Sequence, residues 1–369
     1  MNLERISQRQ LALMFFTLLI STVVFFMPQI AAREVEQDAW ISALLASFWG
    51  IFIVLVVVAL GRRFPNRTLT GYIPLIVGKP LGFVLNALYS IWFIFIGAGI
   101  VAEFVLFMNI TVLPRTPIVV FIITFLALSW YAVRGGLEVW VRVNEMLFWV
   151  IAVSLLATVV LPLNMMDFRR LLPVGEHRWG SLLAASLISG TWRGEVFLAA
   201  MFLPALTSFK NTTRNLILSV ILVGVALSAI EFAGIAVFGG IAVGQMEFPE
   251  FYLARVISMA EILQRLEVLV VIVWLFGTFI KINAFLYCST RATAETVGFK
   301  HFYFLLLPMT VLFGALAYNE YTNSALFVDF LTKAFPGFGI LSFQLTIPLL
   351  LLIIAWVRGV REDQKLEEQ

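Results

Sequence analysis

Ser189-Gly190-Thr191-Trp192-Arg193-Gly194-Glu195 interrupts an otherwise apolar run of about 181 to 206. A helix crosses lipid because it satisfies its own backbone N–H and C=O groups. Two glycines, two hydroxyls and two opposite charges inside one membrane-length run predict that this helix is broken. The freed backbone groups would then have to face protein, water or a ligand. The first apolar run, about 10 to 32, carries a comparable interruption at Ser21-Thr22 and another at Pro28-Gln29. Five segments separate the starts of the two runs. Broken helices at corresponding places in two halves predict a polar site near the middle of the bilayer.

The surroundings of these runs settle the solvent. The chain has 369 residues, 61% of them hydrophobic and only 13% charged, with a mean hydropathy of +0.99. Such a composition excludes a soluble domain of this size. Apolar stretches approaching the ~20 residues of a bilayer crossing recur from end to end. The net charge of +3 is small and its basic residues fall between apolar runs, so nothing points to nucleic acid. A lone Cys288 in an apolar run reads as a packed thiol. His177 and His301 fall between runs with no metal-ligand spacing and read as solvated or interfacial. Arg5 and Arg9 before the first run resemble a signal peptide, but the run is too long for one and similar segments follow; it reads as a retained helix.

The expected architecture is an all-α integral membrane protein, one transmembrane domain over 1–369. Ten crossings are expected, at about 11–32, 39–60, 81–111, 117–134, 142–163, 181–206, 213–241, 264–292, 302–318 and 336–357. The intervening stretches are short and rich in turn residues, such as Phe64-Pro65-Asn66 and Gly78-Lys79-Pro80. Lys and Arg favour one set of connections, for example Arg62, Arg63, Arg67 and Lys79, which predicts both termini on the cytoplasmic side. Ten crossings divide into repeats of about 11–163 and 181–357 that run in opposite senses, each opened by a broken helix. That is the logic of the LeuT/APC-like 5+5 inverted repeat, with helices 1 and 6 broken.

Ionisable groups at membrane depth are costly and read as functional candidates. They are Glu103 in the third segment, Arg193 and Glu195 at the second break, Glu231 in the seventh and Lys281 in the eighth. Arg193 and Glu195 are placed to pair with each other, with Lys281, or with the charged ends of an amino acid. The competing reading is a locking ion-pair network that never meets a ligand. Water is an alternative environment for Glu103, near its helix end, and snorkelling is one for Lys281. At the first break, Thr22, Val23, Val24 and Phe25 precede Pro28, which removes one helical donor. Such a turn would offer free N–H groups to a carboxylate; a plain proline kink is the other reading. At the second break Gly190, Thr191, Arg193, Gly194 and Glu195 are the candidates. Glu103 and Glu231 are candidates for a coupling or structural role.

Other motifs are weak. Gly97-Ala98-Gly99-Ile100-Val101-Ala102 matches a dinucleotide fingerprint by letter but has no strand before it. Small residues for close helix contact explain it better. Gly190 and Gly194 form GxxxG. No triad, metal cluster or phosphate loop is visible, so neither an enzyme, a cofactor nor a metal is expected.

Several stretches together resemble the endospore germination permease family, the B subunits of nutrient germinant receptors, within the APC superfamily. They are Asp38-Ala39-Trp40-Ile41-Ser42, Leu113-Pro114-Arg115-Thr116-Pro117, Tyr131 to Glu138 with Arg142 and Glu145, Gly194-Glu195, Phe248-Pro249, and Arg265-Leu266-Glu267 followed by Trp274 and Phe279-Ile280-Lys281-Ile282. The resemblance implies a membrane protein of the spore inner membrane that binds a small germinant, usually an amino acid. It also implies an A subunit and a lipoprotein C subunit as partners. Carried over by position, the site would involve Thr22 to Phe25, the third helix, Gly190 to Glu195 and the region of Lys281. The family pattern commonly has glycine in the first break, where this chain has Ser21, Thr22 and Val23, which leaves a ligand less room at the backbone. The fold alone does not separate a receptor from a proton- or sodium-coupled transporter, or from an ion or water conduit.

Overall fold

The computed structural model describes residues 4–256, 267–323, 326 and 329–362, the side chain of Thr332 excepted. The expected start of the eighth helix at about 264, with Arg265 and Leu266, lies outside the described residues, as does the tail beyond 362. Among the described residues the secondary structure is helical apart from one isolated bridge between Ile6 and Leu206.

Helix α1 (Gln8–Val35) opens on a capping box. Ser7 Oγ accepts from Gln10 N at 3.1 Å, and Gln10 Oε1 accepts from Ser7 N at 2.8 Å. This satisfies orphan donors at the helix start. The helix ends at Glu36, whose φ of +39° turns the chain sharply into α2 (Ala39–Arg63). Then come α3 (Leu69–Val77), α4 (Lys79–Phe107), α5 (Ile118–Arg134) and α6 (Leu137–Val160). Helix α7 (Trp179–Gly194) passes through a tight turn into the short α8 (Ala199–Phe202). The remainder comprises α9 (Thr212–Phe238), α10 (Gly240–Gln245), α11 (Pro249–Val256), α12 (Glu267–Val297), α13 (Leu306–Thr322) and α14 (Thr346–Val357). Helices α3 and α11 occupy stretches expected to be connections.

Seven helical stretches among the described residues are long and apolar enough to cross a membrane, the first running through α1 and α2 from Gln8 to Arg63. Helix α5 is apolar but shorter. Most element boundaries agree with the expected segments to within a few residues; in the last, expected at 336–357, regular α-helix begins only at Thr346, after a π-helical stretch at Gly339–Gln344. Helix α1 is the axis of the bundle, packed against α6, α7, α9 and α12. It is hydrophobic around its whole circumference, as a helix enclosed by others should be.

The expected break in helix 1 is not there. Ser21 to Phe25 and Pro28 all lie in one α-helix. The fault at Pro28 is one missing donor opposite the Val24 carbonyl, which does not stop a helix held from several sides. Ser21 points its hydroxyl back to Leu18 O at 2.9 Å rather than freeing backbone. At the second break the outcome differs: α-helix ends at Gly194, and Glu195–Leu198 form a 3-10 turn. A 3-10 turn keeps i→i+3 hydrogen bonds while narrowing the coil, so the backbone there is re-bonded, not unwound.

Candidate functional site

The turn after α7 is built by close packing. A Cβ on Gly190 would come within 2.8 Å of the Trp49 ring, and one on Gly194 within 2.0 Å of Gln344 Oε1. The two glycines therefore let α2 and the Gly339–Gln344 stretch lie directly on α7. On α12, Gly277 does the same for α1, where a Cβ would sit 2.7 Å from Ser21 Cβ. These approaches bring α1, the α7 turn and α12 together in the interior.

Lys281 stands at their meeting point. Its ammonium donates to Thr22 Oγ1 at 2.7 Å and lies 2.7 Å from Glu195 Oε2. The contact with Glu195 is an ion pair set off the ideal hydrogen-bond angles. All three residues are buried, Lys281 at 0% exposure. Lys281 therefore does not snorkel, and Glu103, at 4% exposure, does not reach bulk water. Glu103 lines a small cavity with Trp192, Glu195, Lys281, Gly99 and Phe335, in which about 10 Å³ is open to the centre of a water molecule. That is room for about one water. The site is closed in this conformation, and any larger guest requires the surrounding helices to move.

Aromatic clusters close the site on two sides. Towards the Val35 end of α1, Trp274 meets Phe25 with ring centroids 3.9 Å apart, and Phe107 at 4.8 Å. Phe107 in turn packs on Phe248. On the other side, Phe197 just beyond Glu195 stacks on Phe93 at 5.8 Å and meets Trp92 at 5.0 Å. Sequence reasoning missed these plugs, because 14% aromatic content is spread along the whole chain and carries no local signal. Gly97 and Gly99 on α4 were the legible trace: Phe285 and Phe313 pack at Gly97, and Gly99 lines the cavity.

Thr22, Glu195 and Lys281 thus come together, with Glu103 alongside. Arg193 does not join them, nor does it pair with Glu195. Two residues along a helical turn place it on the opposite side, against Gly50 of α2. There Nη1 donates to Ser189 Oγ at 3.3 Å, while Nε and Nη2 have no partner. Glu231 on α9 faces Arg193 electrostatically without an ion-pair contact, and both its oxygens are unpartnered. Thr191 packs its methyl at Gly339 and bonds back to Leu187 O. Val23 is core. Val24 and Phe25 line a second small cavity with Thr158 and Glu250. The remaining expectations are met in part: Cys288 is buried, His301 is exposed, and His177 is partly buried with Nδ1 3.0 Å from Asp38 Oδ2. Among the described residues no group of His, Cys, Asp and Glu is arranged to hold a metal ion.

At the other end of α1, Glu4 ties the chain down. It accepts from Leu137 N at 2.9 Å, Tyr287 Oη at 3.1 Å and Tyr303 Oη at 2.5 Å. Ile6 N donates to Ala205 O at 2.8 Å, and Thr207 N to Ile6 O at 3.0 Å. A cavity with about 630 Å³ open to water lies beside this segment, lined by Arg5, Arg291, Glu295, Lys300 and His301 among others.

An apolar bundle wrapped around a buried ammonium–carboxylate pair defines a membrane protein with a buried polar site. The fold agrees with that class. It superposes on a Na+-coupled sialic acid symporter in a substrate-bound outward-open state with a TM-score of 0.68, at 13% identity, covering 92% of this chain and 80% of that one. It also matches a nucleobase-cation-symport-1 family transporter with a TM-score of 0.58, at 12% identity over 96% and 76% of the two chains. At such identities the likeness establishes the LeuT-type fold and nothing more. The sequence then gives the family: residues 5–325 match the spore germination protein family, and the chain belongs to it. Among relatives, spore germination protein KB of Bacillus subtilis (strain 168) is 27% identical over 375 residues, covering 100% of this chain and 99% of the relative. Spore germination protein YndE of the same organism is 23% identical over 325 residues, covering 86% and 88%. The chain is therefore an integral membrane protein of a germination permease family.

Proposed function

We propose that this chain is the B subunit of a spore nutrient germinant receptor in the spore inner membrane. It binds a small germinant, an amino acid in this reading, and signals to an A subunit and a lipoprotein C subunit. Ten crossings arranged as a 5+5 inverted repeat, with both termini cytoplasmic, belong to the same proposal. The long first stretch is then counted as two crossings, and α5 and the α7–α8 segment as one each.

The observation that carries the reading is the buried contact of Lys281 with both Glu195 and Thr22. One ammonium links α12, the α7 turn and the middle of α1. A zwitterion competing for Glu195 or Lys281 would loosen that link and let the helices part. A ligand shifts a conformational equilibrium only through such a difference in contacts between two states. Arg193, Gly190, Thr191 and Gly194 then act from behind, through the packing of the turn, with Val23, Val24 and Phe25 as the wall on the α1 side.

Spores carrying Glu195→Gln or Lys281→Met test this across a panel of amino acids, sugars and nucleosides. Both variants are expected to lose most of the response at normal membrane levels, while Glu138→Gln keeps it. Glu138 is a partly exposed residue whose bonds are to Arg142 and to Arg5 N. Equal responses in all three would overturn the site. Sharing a fold with symporters favours one competing reading, a coupled transporter. Gradient-driven accumulation of an amino acid by the chain alone in liposomes would establish transport in place of a receptor-only role; conductance alone would indicate a conduit.

A further inference from the structure

Three buried carboxyls and one ammonium form a row through the bundle. Lys281 on α12 contacts Glu195. Glu103 on α4 lies in the field of both of them and shares their cavity. Glu320 on α13 lies in the field of Glu103. Helices α4 and α13 run side by side in the same direction: Phe313 packs at Gly97, and Tyr321 Oη donates to Asn109 Oδ1 at 3.0 Å. Glu103 and Glu320 fall between those two contacts.

With every group ionised, the row has three negative charges against one positive. An uncompensated charge in this environment costs several kcal/mol. The polar atoms show the same imbalance. Glu103 Oε2 and both oxygens of Glu320 have no hydrogen-bond partner, although the residues are only 4% and 7% exposed. No other described element supplies a counter-charge. The one charged residue of α5 is Arg134, at its far end, α3 has none, and Lys333 is exposed. Arg193 faces Glu231 instead.

We infer that the Glu103 and Glu320 carboxyls each bind an exchangeable proton, which leaves the Glu195–Lys281 pair balanced and connects the Lys281 site to the Thr322 end of α13. A metal cation is the poorer fit. It needs about six oxygen ligands, whereas the cavity holds about one water and the Glu195 carboxylate that lines it is already paired with Lys281. Glu320 stands two residues from Thr322, which is exposed, so a proton there has a short way to solvent.

The test needs neither germinant nor partner subunits, so its result is separate from that of the receptor reading. Infrared difference spectra are recorded on the purified full chain in detergent while pH is stepped, in sodium-free buffer and in buffer with sodium. A protonated-carboxyl band, shifted by deuterium exchange, is expected to disappear as pH rises. It should be reduced in Glu103→Gln and in Glu320→Gln, and unchanged in Glu138→Gln. If Glu103→Gln does not fold, the wild-type and Glu320→Gln titrations still decide. A band that sodium abolishes at constant pH would overturn the proposal in favour of a metal-ion site. So would the lack of any titrating carboxyl band, or a band unaltered in both variants.

Discussion

Two stretches with similar sequence signals behave differently. The middle of α1 carries Ser21, Thr22 and Pro28, and stays α-helical. The end of α7 carries Gly190, Thr191 and Gly194, and tightens into a 3-10 turn at Glu195. The difference lies in what each stretch packs against. Around Pro28 the helix loses one donor, and neighbours on several sides keep it in place. At Gly194 the neighbouring Gln344 presses directly on the backbone, and the helix changes pitch to aim Glu195 at Lys281. A proline alone therefore marks a fault in a helix, whereas paired glycines with a buried charge mark a change of course.

Lys281 holds the two stretches together, and removing it gives the largest expected effect. Lys281→Met leaves Glu195 buried and unpaired, which should cost about 3–5 kcal/mol. The midpoint of unfolding in detergent should fall accordingly. Adding Glu195→Gln in the same chain should restore much of the loss, because the orphaned charge is gone. A double variant no more stable than Lys281→Met would show that the ammonium works through a different partner.

Much of this was legible in advance. The apolar runs marked most of the long helices to within a few residues, because lipid demands length and apolarity and both are written locally. Pairing of Glu195 with Lys281 was legible as one of several alternatives, because buried charges seek partners. Arg193 was misjudged: neighbours in sequence looked like neighbours in space, yet at helical pitch they face opposite sides. The aromatic plugs around Trp274 and Phe197 were not legible, since which of many aromatic residues meet is decided by helix rotation. Helix α1 looked broken because proline and hydroxyls are breakers in water; the burial that overrides them is a property of the whole bundle.

Gly194→Ala is the next largest test, aimed at the α7 turn alone. The added methyl would lie 2.0 Å from Gln344 Oε1 and 2.8 Å from its Cδ. Gln344 is fully buried and has little room to retreat. Overpacking of this kind costs about 1–3 kcal/mol. Germination of spores carrying it should weaken even where the chain reaches normal membrane levels, because the turn that aims Glu195 is displaced. An unaltered response would show that the register of this turn is not critical.

Pro28→Ala sharpens the other half of the comparison and should have the smallest effect. Alanine restores an N–H opposite the Val24 carbonyl and adds no bulk where α1 is enclosed. The unfolding midpoint should stay the same or rise slightly, a change within about 1 kcal/mol. If α1 is a fixed wall and the α7 turn is the element that yields, germination should proceed at the wild-type rate. If ligand entry instead requires α1 to open at the missing hydrogen bond, the variant will be as stable as the parent and markedly slower to respond. Measuring unfolding on the purified variant and germination on spores that carry it separates the cases, because a wall that is only strengthened keeps its function, whereas a hinge that is sealed does not.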